Sequence, residues 1–190
     1  STQAKTLFPY TTLFRSKMAA TWRATATAIA YANAKDMLNV FNATGSTRII
    51  RAYRAYHFNN GTATVTGALT TMQIRRITAA SSGTGVTPVK HDTNSSALNA
   101  NTTCGTNQTV SGSDIFRRYL WSNDEPTVSA ATQDEWELLV PNCEVWNAGY
   151  GDSNIEPIVC RAVQGFEIYH SGSSAVGTAD LEIEFTDAAT

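Results

Sequence analysis

Three histidines, three cysteines and scattered carboxylates are the residues of this chain able to act as nucleophiles, acid–base groups or metal ligands. His57, His91 and His170 fall on separate segments and form neither a His-x-x-x-His pair nor an HExxH motif. A zinc site would have to be assembled from distant residues, so ordinary strand or loop histidines are expected. Cys104, Cys143 and Cys160 are an odd number without CxxC spacing. Cys143 and Cys160 read as buried thiols or as a bridge, with thiols favoured because free cysteine behaves as a small hydrophobe. Cys104 sits in a polar stretch that can leave it exposed. Asp134, Glu135, Glu137, Glu144 and Glu156 are enough acids for a glycosidase pair, but spacing alone aims no two of them at one sugar, and a solvated rim is expected. No GxxxxGK[ST] loop occurs, and Gly83-Thr84-Gly85 lacks a third glycine and a following helix. The expectation is a chain that is not an enzyme and needs no cofactor and no metal.

Gly151-Asp152-Ser153-Asn154 resembles the Gly-Asp-Ser nucleophile motif of a family of esterases, with Glu167-x-x-His170 available as an acid–base partner. In that family the serine follows the first strand of an α/β fold, with most of the domain downstream. Here 37 residues follow Ser153 and read as strands, and there is no GxSxG elbow. A turn is expected instead, since all four residues are turn formers.

The arginines are more informative. Seven of ten, Arg48, Arg51, Arg54, Arg75, Arg76, Arg117 and Arg118, fall on three strand-like runs that also carry Tyr53, Tyr56, Phe58, Phe116, Tyr119 and Trp121. Arginine mixed with aromatics is enriched at protein interfaces, where guanidinium forks pair with carboxylates and rings fill pockets. Arg51, Arg54, Tyr56, Arg75, Arg76, Arg117, Arg118 and Tyr119 are therefore candidate subunit-interface residues. The competing reading is intramolecular, with arginine rows paired to Asp180, Glu182, Glu184 or Glu167 on neighbouring strands. Trp136, Trp146 and Tyr150 form an aromatic-rich region. They read as core and loop-anchor rings, or alternatively as a glycan- or receptor-stacking platform.

The elements that must position these residues are strands. Charged residues are 16% of the 190, while Thr and Ala together make 53 positions, and β-branched Thr leans toward strands. Thr21–Tyr31 alternates. In Ala179–Phe185, Leu181, Ile183 and Phe185 face one way and Asp180, Glu182 and Glu184 the other, the pattern of an antiparallel strand with one solvated face. Asp36–Asn42 reads as a strand, with helical alternatives only at Lys35–Phe41 and at Ala130–Leu139. Asn59-Asn60-Gly61 predicts a type I′ hairpin joining Arg48–Phe58 to a strand at Thr64–Thr78. Residues 80–113 are dominated by Ser, Thr, Asn and Gly and read as a long polar excursion, with one short strand around Thr87–His91. Strands resume at Asp114–Trp121, Glu135–Val140, Glu144–Ala148, Ile155–Ala162 and Gly165–His170. The fold class expected is all-β, an antiparallel β-sandwich of jelly-roll type. No apolar run approaches the length needed to span a bilayer, so no membrane partner is expected.

Thr6–Ser16 resembles the in-frame translation of a sequencing-adapter oligonucleotide, which marks residues 1–17 as a non-native leader before a domain at 18–190. That leader holds Lys5, Arg15 and Lys17 and no acid, so the remainder carries 11 basic and 16 acidic residues, net −5. A nucleic-acid surface is not expected on such a chain.

Arg48–Gly67, Asp114–Pro126 and the runs Glu156–Ile168 and Ala175–Phe185 are similar to virion structural proteins of bacterial viruses, jelly-roll sandwiches of capsid shells, decorations and tails. Members usually carry a Pro-Gly or Gly-x-Gly turn before the penultimate strand; Ala162-Val163-Gln164-Gly165 keeps only the last glycine. The resemblance implies a non-catalytic subunit of a phage particle, assembled in the host cytoplasm, whose partners are copies of itself and other virion proteins. The alternative function is a carbohydrate- or receptor-binding module on a tail or cell surface.

Overall fold

The computed structural model describes residues 19–60, 69–122, 143–148, 155–173 and 177–189. They form two antiparallel sheets packed face to face, a β-sandwich. The strands are β1 (Ala20–Ala30), β2 (Lys35–Asn42), β3 (Arg48–Asn60), β4 (Leu69–Ser81), β5 (Thr84–Gly85), β6 (Val89–Lys90) and β7 (Thr102–Thr106). The rest are β8 (Thr109–Ser122), β9 (Glu144–Asn147), β10 (Ile158–Cys160), β11 (Gln164–His170) and β12 (Thr178–Ala189). One sheet runs β10-β3-β12-β1-β6, with β9 on the same edge of β3 as β10; the other runs β5-β7-β2-β11-β4-β8.

Alternation explains the inner face. Leu181, Ile183 and Phe185 of β12 are fully buried against Trp22, Ala24 and Ala26 of β1 and against Phe166, Ile168 and Leu38 of the facing sheet. Lys35–Phe41 is strand, not helix, and almost every residue of β2 is buried. Its inner side meets the core, and its outer side lies under polar groups described below.

The expected hairpin between the third and fourth strands does not form. β3 pairs with β12, β9 and β10, while β4 pairs with β11 and β8 in the opposite sheet. The long register of β3 with β12, from Asn60↔Thr178 to Arg48↔Ala189, outweighs a local turn signal. Pairing instead nests across the chain: β1 with β12, β2 with β11, β3 with β9 and β10, and β4 with β8.

Residues 80–113 contribute more strand than their composition indicates. β6 adds to β1 at the edge of one sheet, and β7 adds to β2 at the edge of the other. Thr102, Cys104 and Thr106 take the buried positions of β7, which is how a polar stretch supplies a core-facing strand. Cys104 is therefore buried, and no disulfide joins the three cysteines among the described residues. The expected strand Glu135–Val140, the helical alternative at Ala130–Leu139 and the leader lie outside the described residues.

Candidate functional site

The outer face of the β12 sheet carries a charge ladder. Arg23 of β1 pairs with Glu182 at 3.1 Å and with Glu184; Arg54 of β3 stands 3.8 Å from Glu144 and 3.9 Å from Glu184. Arg48 reaches Asp187 at 3.9 Å at the end of the sheet, where Asp187 shares the core-facing side with Ala20 and Ile50. Arg23 also lies 5.9 Å from the Tyr56 ring, which stacks on Phe58. Such half-exposed pairs contribute little individually, but they engage Arg54 and Tyr56 within the subunit. Arg23 was not among the residues singled out by sequence, because strand β1 looks apolar apart from it.

The outer face of the other sheet holds a buried polar cluster. Asp36 and Asn39 of β2 and Glu167 of β11 are all buried, and Arg75 of β4 pairs with Glu167. Asn39 Nδ2 donates to Asp36 Oδ2 at 2.8 Å and to Gln108 Oε1 at 3.1 Å, while the Gln108 backbone N–H donates to Asp36 at 3.1 Å. Gln108 thus folds over the sheet as a cap, and Gly105 leaves the space it occupies. Burial raises both carboxyls above the usual range, and each sits against the other. Asp36 Oδ1 and Glu167 Oε2 find no conventional donor. A proton held between the two carboxyls satisfies both atoms.

A second interior cluster joins the histidines to hydroxyls and rings. His57 Nε2 and the Tyr31 hydroxyl lie 2.8 Å apart, its Nδ1 is 3.3 Å from the Tyr119 hydroxyl, and the ring stacks on Trp121 with centroids 4.1 Å apart. Burial pushes His57 down to about 3. His170 Nδ1 donates to the Ala32 carbonyl, so its Nε2 accepts from the Thr70 hydroxyl. Burial keeps the His57 ring neutral, and both rings are packed in the interior. Glu167 and His170 share a strand but are committed to different partners, and Ser153 lies outside the described residues. No cluster of metal-ligating residues occurs among the described residues.

The remaining arginines divide sharply. Arg117 donates to the Val145 carbonyl at 2.8 Å, and Arg118 on exposed β8 has no partner among the described residues. Tyr119 turns its hydroxyl inward to His57, and burial raises its pKa. Arg51 and Arg76 meet at a cleft of about 540 Å³ at the β10 edge of the sandwich, where Asp114, Glu156, Arg161 and Gln164 also converge. Arg76 is fixed there: Nη1 donates to the Val159 carbonyl at 2.6 Å, and Nε stands 3.2 Å from Asp114 Oδ2. Among the described residues, the Arg51 and Arg161 guanidiniums have no hydrogen bond or ion pair. Sequence reading picked out Arg51 and Arg76 but not Arg161, Glu156 or Gln164, which only the turn before β11 brings alongside.

Of the aromatic platform, Trp146 is partly buried against the core, 6.1 Å from the Phe116 ring, with its Nε1 enclosed and unpaired. Trp136 and Tyr150 lie outside the described residues. Comparison of the chain with protein-family models, curated proteins and solved structures found no match.

Proposed function

We propose that this chain is a non-catalytic structural subunit of a virus particle, a jelly-roll sandwich that works by associating with copies of itself and with other virion proteins. The observation that carries the reading is the nested strand pairing. First with last, second with penultimate, and so inward to β4 with β8, is the order obtained when one long antiparallel hairpin is rolled into two facing sheets. Jelly rolls of this kind build viral capsids, and they also occur as lectins. The contact surface for a second copy is β8, the edge strand of its sheet. Its register against β4 is irregular between Ile74 and Ala79 and regular from Arg117 to Ser122. Bulges spoil an edge for pairing, whereas a regular stretch offers it. On that stretch Leu120 is 66% exposed and Arg118 has no partner among the described residues, with Ile115 and Phe116 exposed beside them.

Light scattering over a concentration series tests the reading. A defined oligomer that Leu120→Lys weakens at least tenfold, with unchanged thermal stability, supports it; a strict monomer at high concentration that fails to sediment with particles overturns it.

A further inference from the structure

Three guanidiniums reach the cleft beside β10 by different routes: Arg51 from β3, Arg76 from β4 and Arg161 from the turn before β11. We propose that this cleft binds an acidic sugar, a hexuronate-type ring whose carboxylate is held by Arg51 and Arg161 and whose hydroxyls are read by Glu156 and Gln164.

The cleft is partly prebuilt. Gln164 Oε1 accepts from Arg76 Nη1 at 3.3 Å and from the Arg161 backbone N–H at 3.0 Å, which leaves the Gln164 amide NH2 as a spare donor. The turn carrying Arg161 is closed by the Gln164 N–H on the Arg161 carbonyl at 3.0 Å. It holds Val163 at φ +63°, where a β-branched residue is strained, and strain of this kind persists where surrounding structure enforces it. Arg51 extends that rigid frame from the side, since it lies opposite Val159 in the ladder and Arg161 follows two residues further on.

The charge count selects the ligand class. Asp114 is spent on Arg76, so among the described residues two guanidiniums without an ion-pair partner face one such carboxylate, Glu156. Guanidinium forks match a carboxylate, whereas Glu156 repels a dianion such as phosphate and accepts hydrogen bonds from hydroxyls. Ile49, Pro157 and Val159 supply apolar surface for the carbons of a sugar ring. The volume, about 540 Å³, lies within the range of small-ligand sites. The cleft takes Asp114 from β8 but none of the Arg117–Ser122 stretch proposed for self-association.

Calorimetric titration of the full chain with sodium glucuronate, methyl glucoside and inorganic phosphate, each to tens of millimolar at low salt, tests the proposal. Glucuronate is expected to bind saturably and at least tenfold more tightly than the other two. The Arg51→Ala/Arg161→Ala double variant is expected to lose at least tenfold of that affinity with an unchanged melting temperature, since neither guanidinium has a partner to forfeit among the described residues. Glu156→Gln is expected to improve phosphate binding while weakening glucuronate binding. Absence of saturable glucuronate binding, an unaffected double variant, or phosphate binding as tight as glucuronate would each overturn it.

Discussion

The guanidinium carbon of Arg75 stands 3.4 Å from the centroid of the Tyr169 ring while its Nε pairs with buried Glu167. Stacking on one face and a carboxylate at the edge make Arg75 the counterion of a carboxyl that water does not reach. Arg75→Ala is expected to cost about 3 kcal/mol at pH 8. The loss should be smaller at pH 5, where the Asp36–Glu167 pair takes up a proton instead of remaining charged. Urea midpoints at the two pH values measure the difference, and equal losses would remove Glu167 ionisation from the account.

The same pair sets an alkaline limb of stability. Both carboxyls are raised above their ordinary values of 3.8 and 4.5, so the folded state binds more protons than the unfolded chain. Their contribution is complete below those ordinary values and is lost as pH rises through the raised ones, with a slope of at most about 1.4 kcal/mol per pH unit per proton. Asp36→Asn should flatten the decline of unfolding free energy toward alkaline pH. His57 acts in the opposite sense. Its pKa is lowered from 6.5 to about 3, so its contribution is present above 6.5 and falls as pH drops toward 3. Between about pH 4.5 and 8 the two carboxyls outweigh the single imidazole, so the unfolding free energy should fall as pH rises, less steeply than the carboxyls alone would make it.

Val163 and Gly165 make a paired backbone test. Val163→Gly should raise stability by about 0.5–1 kcal/mol, because glycine adopts the positive φ without a Cβ penalty. Gly165→Ala should lower it by about 1–3 kcal/mol. A Cβ there would lie 2.5 Å from the Val40 carbonyl oxygen and 2.7 Å from Ile77 Cγ1. Thermal melts of the two variants should move in opposite directions.

Burial pushes the Cys104 and Cys160 thiols up to about 12 and raises Cys143 as well. None of the three should react with a thiol reagent at pH 8 on the timescale on which the denatured chain titrates fully. Rapid native labelling of Cys104 would place β7 outside the core.

Much of this fold is legible in the chain where one face meets water. β12 shows its alternation openly, because Asp180, Glu182 and Glu184 mark the outer side against Leu181, Ile183 and Phe185. β2 hides it: with Asp36 and Asn39 buried under Gln108, neither face is solvated and no period appears. The Asn59-Asn60-Gly61 signal misleads because turn chemistry is local, while the partner of β3 lies more than a hundred residues away. The same distance limits the site. Arg75 with Glu167 was among the pairs weighed from sequence, whereas the Arg51, Arg76 and Arg161 cleft exists only through the edge where β10 joins β3.

Nested pairing also dictates when the molecule can mature during synthesis. β12 is the strand inserted between β3 and β1, so that sheet lacks its middle until residue 189 has left the ribosome. Until then β1 and β3 each present an unsatisfied backbone edge, a state prone to pairing with neighbouring nascent chains. Contacts this distant in sequence also form slowly. Output of folded protein should therefore respond to translation speed and chaperone supply while β12 is being made more than while β1 is being made.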